Sequence, residues 1–337
     1  MLLAELGWDP DQIKNLIIQT LTPYFKDKQF LSDKAIDLLP IEAVNVGMIG
    51  QDVKAEKWLH QLLDIHQAAS KVNEKVCFQT LAHWEDRISH ATDEFWSAAI
   101  LEQNTSTLPL QEFKFEIFRT IGMLIEACLQ PQLKALLAQV RLSKGDPEPN
   151  KNLDGLELGK VINELHAKLP DKEIVAPVPW NIRLNQWRNM AQHHKTRVKD
   201  NKIVGAYGVG AKQTEVILER AALLQFVTRL NFAIRVVLTS RTIFILDNLQ
   251  KIEPYISFDT DEREDVRLFR LATSFATQGF EIERFEIIDG KVLVWIFDKT
   301  GGDTLKRAVH CSQLIYSVWL NFSHDFIEIE SWMHLEK

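Results

Sequence analysis

Residues 187–195 read Trp187-Arg188-Asn189-Met190-Ala191-Gln192-His193-His194-Lys195, a polar run set into a helix that the pattern predicts over about 181–194. Trp187 gives that helix an apolar anchor. Arg188 and His193 stand five positions apart, and a polar Asn follows the Arg directly. Immediately downstream, residues 196–207 read as a small β-hairpin around an Asp200-Asn201 turn. From Asn181 to Lys202 six Lys or Arg face one acid, a local balance of about +5 in a chain that carries −7 overall. Function is expected in this basic island.

The run resembles the RxxxxH signature of the HEPN (higher eukaryotes and prokaryotes nucleotide-binding) superfamily, in its RNxxxH form, with Arg188, Asn189 and His193 as the matching positions. The resemblance covers roughly residues 110–245. It implies a helical bundle whose polar motif lies near one helix end, a metal-independent ribonuclease activity, and a homodimer or larger even-numbered assembly that shares a composite site.

Composition frames the rest. With 337 residues, 46% of them hydrophobic and 25% charged, the chain has the make-up of a soluble globular protein of two or three domains. No unbroken run of 18 apolar residues occurs and the N-terminus lacks a secretory pattern, so neither a membrane span nor a signal peptide is expected and a cytoplasmic location is. Cys77, Cys128 and Cys311 are odd in number and far apart, which fits buried thiols in a reducing compartment and no zinc set. An acidic overall balance argues against wrapping nucleic acid over a broad surface but leaves room for a local site.

Taken in order, the chain is expected to be mainly α: an N-terminal helical region (1–105), a HEPN-like helical domain (106–245) and a small C-terminal α+β domain (246–337). Asp9-Pro10 opens a helix with Ile13, Leu16, Ile17 and Leu21 on one face, shorter helices follow, and residues 51–103 read as helical. His60, His66, His83 and His90 in that stretch read as polar-face or boundary residues without acidic partners at ligand spacing. Helices are then expected at 113–129 and 131–142, divided by Pro131, at 156–168, and at 214–237. Near the C-terminus a helix (262–277), two strands (280–288 and 291–297) about Asp289-Gly290, a helix (303–322) and a strand (325–332) complete the reading.

RNA is cut without metal when its own 2′-hydroxyl attacks the adjacent phosphate. That chemistry needs a proton acceptor near neutral pH, which suits His193, and a fixed cation on the crowded phosphate, which suits Arg188. Asn189 and His193, four apart, share a helix face, so Asn189 is expected to orient His193 or hold substrate. His194, Lys195, Arg197, Lys199 and Lys202 are expected to contact RNA, and Tyr207 to stack on a base or pack the hairpin. No cofactor or metal is expected. By the resemblance, the chain is an RNA endonuclease acting as a toxin or antiviral effector, with an antitoxin or regulatory partner. The other reading is a non-catalytic HEPN-like interaction protein, in which the run is a solvated helix end whose cations favour the C-terminal dipole.

Overall fold

The computed structural model describes residues 10–100, 107–208, 213–255, 271–272, 275, 279–288, 291–298 and 328–334. The chain is mainly helical and divides into two compact units, residues 49–260 and residues 1–48 together with 261–337. This division departs from the expected boundaries near 105 and 245. The helices before residue 105 do not form a region of their own, because three of the six, those after residue 52, pack into the bundle that carries the motif.

In the larger unit the carboxylate of Asp52 accepts hydrogen bonds of 3.0 Å from the backbone N–H groups of Lys54 and Ala55 and so caps α4 (Val53–Val72). Asn73 ends α4 by donating its N–H to Ala69 and caps α5 (Glu74–His83) by accepting from Val76. After Trp84 comes α6 (Glu85–Ile100), so the long helical stretch is three helices with two corners. α7 (Leu110–Met123) and α8 (Gln130–Ser143) are not divided at Pro131. They run on through a π-helical segment, Leu124–Leu129, that accommodates the missing N–H of the proline.

Beyond a loop lie α9 (Leu158–Lys168) and α10 (Leu184–Gln192), then strands β1 (Thr196–Lys199), β2 (Lys202–Tyr207) and β3 (Thr214–Leu218), then α11 (Arg220–Asp247) and the short α12 (Leu249–Ile252). α4 packs against both α8 and α11, and α10 against α7. Leu223, Phe226, Leu230, Ile234 and Val237 of α11 are buried, each such side chain contributing roughly 1.5–3 kcal/mol of apolar burial. Among the described residues α11 is the one helix long and apolar enough to cross a membrane by length and composition. Within the unit it is the core helix of the bundle, and its Arg229 and Arg241 pair with Asp52 and Glu85.

The expected hairpin is present. Asp200 and Asn201 both take positive φ (50° and 54°), the left-handed pair of a type I′ turn, with Lys199 opposite Lys202. Residues 214–218, expected as the start of a helix, instead form β3, antiparallel to β2 with Val216 opposite Gly205. Their β-branched Thr214, Val216 and Ile217 suit a strand, and the ladder to β2 decides it. Gly205 is where α10 meets the sheet: a Cβ there would lie 2.8 Å from Met190 Sδ and 2.9 Å from Leu218 Cδ1.

The smaller unit contains α1 (Pro10–Leu21), α2 (Lys28–Leu38) and most of α3 (Pro40–Ile49), with Ile13, Ile17 and Leu21 fully buried. Its sheet joins β4 (Phe280–Ile288) to β5 (Lys291–Asp298) as an antiparallel hairpin, and β5 to β6 (Glu328–His334) in parallel, Trp295 opposite Trp332. The last strand thus lies a few residues later than expected. The helix expected at 303–322 lies outside the described residues, as does nearly all of the one at 262–277.

Candidate functional site at the end of α10

α10 sorts its residues by face. Leu184, Trp187 and Met190 are buried, while Asn185, Arg188 and Asn189, spaced i, i+3, i+4, lie together on the other side. Trp187 fixes the helix in place. Its ring stacks on Phe226 of α11 at 4.1 Å between centroids, with Trp180 at 5.2 Å and Phe118 of α7 at 6.3 Å.

The helix stops abruptly. His193 is its C-cap and donates its N–H to Asn189 O (3.1 Å). His194 takes φ +49°, and Lys195 N–H reaches back to Met190 O (3.1 Å). This is a Schellman turn, with a histidine in the left-handed position where glycine is usual. Lys195 O then accepts from Ala206 N–H (2.8 Å), tying the turn to β2. The consequence for the motif is exposure: the side chains of His193 and His194 both stand in solvent at the helix end. Among the described residues no hydrogen-bond partner meets the His193 ring.

Arg188 is held by a residue that the sequence reading did not single out. Glu126, in the π-helical segment, accepts from Arg188 Nη2 at 3.0 Å and Nε at 3.4 Å, an edge-on grip across 62 residues of chain. An acid inside the apolar run Leu124-Ile125-Glu126-Ala127-Cys128-Leu129 was the available signal. π-Segments recur at functional sites because the extra residue re-aims neighbouring side chains. Asn189 does not orient the His193 ring. Its Oδ1 lies 3.5 Å from Arg188 Nη1, and only its backbone carbonyl engages His193. Arg188 Nη1 therefore keeps donors that Glu126 does not occupy.

Beside this face opens a cleft of about 440 Å³, lined by Asn185, Arg188 and Asn189 of α10, Gln130 at the start of α8, and residues 156–159 at the start of α9. His193 is not among its lining residues. A Cβ on Gly159 would approach Asn185 Nδ2 to 3.3 Å, so α9 and α10 are close at this point.

The expected RNA-contacting residues are only partly assembled. Arg197 and Lys199 alternate outward on β1, and Lys202 faces Lys199 across the turn, so these three share one face of the sheet. Arg197 is paired with Glu215 of β3 (2.7 Å), which reduces its pull on phosphate. Lys195 is half-buried in the turn. Tyr207 is half-buried opposite Thr214.

The remaining histidines and cysteines lie elsewhere. His66 is buried, not on a polar face. It stacks on Phe244 at 5.4 Å, and burial, helped by nearby Arg241, lowers its pKa to about 3. His83 does have an acidic partner, Asp154, at 3.3 Å. Cys77 and Cys128 are buried free thiols, pushed up to about 12 first by burial and then by Glu74 and Glu94 respectively. Cys311 lies outside the described residues. Among the described residues no three His, Cys, Asp or Glu side chains gather in a possible ligand set. No family model, curated protein or solved structure matches the chain.

Proposed function

We propose that this chain is a metal-independent RNA endonuclease of HEPN type. The observation that supports it most is the presence, on one short and firmly packed helix, of an exposed His193, its ring without a hydrogen-bond partner among the described residues, and of an Arg188 whose Nη1 is not held by Glu126. They stand five positions apart, about 7.5 Å along the helix axis. In the reaction His193 accepts the proton of an RNA 2′-hydroxyl as that oxygen attacks the neighbouring phosphorus. The bond to the 5′-oxygen then breaks, and the leaving oxygen takes a proton. Arg188 Nη1 holds the phosphate oxygens while negative charge accumulates. Glu126 positions the guanidinium, and the cations of β1 and β2 lead RNA toward it.

One Arg and one His make a sparse site. A two-fold axis beside α10 supplies a second copy of each and doubles the basic sheet face, so a homodimer is part of the proposal. A toxin or antiviral role in the cytoplasm, with an inhibitory partner, extends it by analogy. A second reading, a non-catalytic interaction protein, draws on one observation: Arg188 is already ion-paired within its own chain. The deciding experiment incubates purified protein with RNA in excess EDTA. The nuclease reading requires cutting that persists, products with 2′,3′-cyclic phosphate and 5′-hydroxyl ends, and no cutting where the 2′-hydroxyl is replaced by hydrogen. Activity that needs a metal, or RNA left intact under all conditions, removes it.

A further inference from the structure

Inside the larger unit, α4, α5, α6, α8 and α11 meet around a small cavity of about 10 Å³. A single buried water needs roughly 10–15 Å³, so there is room for one and nothing larger. Most of the wall is apolar, Leu81, Ile88 and Val237 among others, but His66 of α4, Gln132 of α8 and Arg241 of α11 also line it. His66 and Gln132 are 3% and 2% exposed, and Arg241 is buried as well. Each carries buried polar atoms without a hydrogen-bond partner among the described residues: His66 Nδ1, Gln132 Oε1 and Nε2, and Arg241 Nε. A buried polar group left unmet suffers the whole penalty of losing its water. Three such side chains gathered at one cavity point to an occupant that meets them.

We infer that this cavity is a hydration site in which one ordered water bridges α4, α8 and α11, a site independent of the ribonuclease reading. Arg241 Nε–H can only donate, whereas a neutral His66 ring can accept at Nδ1. The ring stays neutral because burial, and then Arg241, oppose its protonation. One water donates to His66 Nδ1 and to Gln132 Oε1 while it accepts from Arg241 Nε–H. Turning the Gln132 amide over exchanges Oε1 for Nε2, and the water still meets one of them. An ion fits less well: the guanidinium opposes a cation, Glu85 beside it opposes an anion, and a hydrated ion is too large. The water satisfies the Nε–H without hydrating the charge, which Glu85 still balances.

Crystallography and urea unfolding test the site from two sides. A crystal structure of the chain that shows ordered solvent is expected to hold one water about 2.7–3.2 Å from His66 Nδ1, Arg241 Nε and one end of the Gln132 amide. Gln132→Met keeps the length of the side chain and removes its hydrogen bonding. It is expected to lower the urea midpoint, because the water loses a partner; removing an amide that was simply buried and unmet would leave the midpoint unchanged or raise it. In a His66→Phe background the effect of Gln132→Met is expected to shrink by about half or more, because both changes dismantle one site. A cavity that takes up xenon in place of water, or a direct hydrogen bond between Gln132 and His66, overturns the site. So does a midpoint that holds or rises in Gln132→Met, or an effect undiminished beside His66→Phe.

Discussion

Arg241 and Arg188 each pair with a glutamate from another helix, one inside the bundle and the other at the rim of a cleft. Arg241 is 7% exposed, pairs with Glu85, and also donates to Leu81 O at 3.3 Å. Arg188 is 30% exposed, and its partner Glu126 37%. The chemistry of the pair is the same; the surroundings differ. A guanidinium taken out of water must keep its carboxylate, because losing it leaves an uncompensated charge. A guanidinium at a rim can keep one carboxylate on one edge and offer the other edge to a ligand. Burial separates an arginine that holds the fold from one with an edge open to a ligand.

The largest expected effect falls at the rim. His193→Ala or Arg188→Ala should lower RNA cutting by about 100-fold or more, the usual range for losing a general base or a charge-stabilising donor, with the thermal midpoint barely moved. If cutting survives both changes, the contrast between a working and a structural arginine collapses.

Next comes the core pair. Glu85→Ala should destabilise the protein by about 3 kcal/mol, read as a shift of the urea midpoint, because Arg241 is left buried without its partner. A loss below about 1 kcal/mol would mean that water reaches Arg241 and that the two arginines differ little.

His66 sharpens the comparison through pH. Its folded pKa, about 3, lies below the ordinary 6.5, so between these values the unfolded chain binds a proton that the folded chain refuses. Stability is therefore lost as pH falls from 6.5 toward 3, by up to about 1.4 kcal/mol per pH unit. His66→Phe should flatten that part of the curve in acid denaturation. An unchanged slope would assign the acid sensitivity to other groups.

The smallest effect is on stability at the rim: Arg188→Ala and Glu126→Gln should each cost less than about 1 kcal/mol. Glu126→Gln keeps a hydrogen-bonding partner for Arg188 while removing a charge that opposes phosphate, and should tighten RNA binding about threefold at low salt. Weaker binding would show that Glu126 does more than position the arginine.

What could be read in the sequence follows from the range of the forces involved. The turn at Asp200-Asn201, the polar face of α10 and the burial of Trp187 are set by residues close in the chain, and all three were legible. For Glu126 the acid inside an apolar run was a local signal, but its partner was not legible, because the contact with Arg188 spans 62 residues. Thr214–Leu218 reads as helix because it runs directly into α11, and only the ladder to β2 makes it a strand. The same limit explains why the compact units divide near residue 49 and not near 105. The faces of α4 that meet α8 and α11 look like those of any amphipathic helix until their partners are known.

The π-helical segment before Pro131 has a consequence for how this chain tolerates changes in length. Its hydrogen bonds close over one residue more than those of an α-turn, so residues 124–129 contain, in effect, one amino acid beyond what a plain helix would use. Removing a single residue there would leave a regular helix with no obvious scar. It would also re-aim the side chains inside the segment, taking the carboxylate of Glu126 away from Arg188. Insertions in the loop after Ser143 would do neither. Among natural variants that cut RNA, length should therefore drift in that loop and stay constant between Met123 and Pro131.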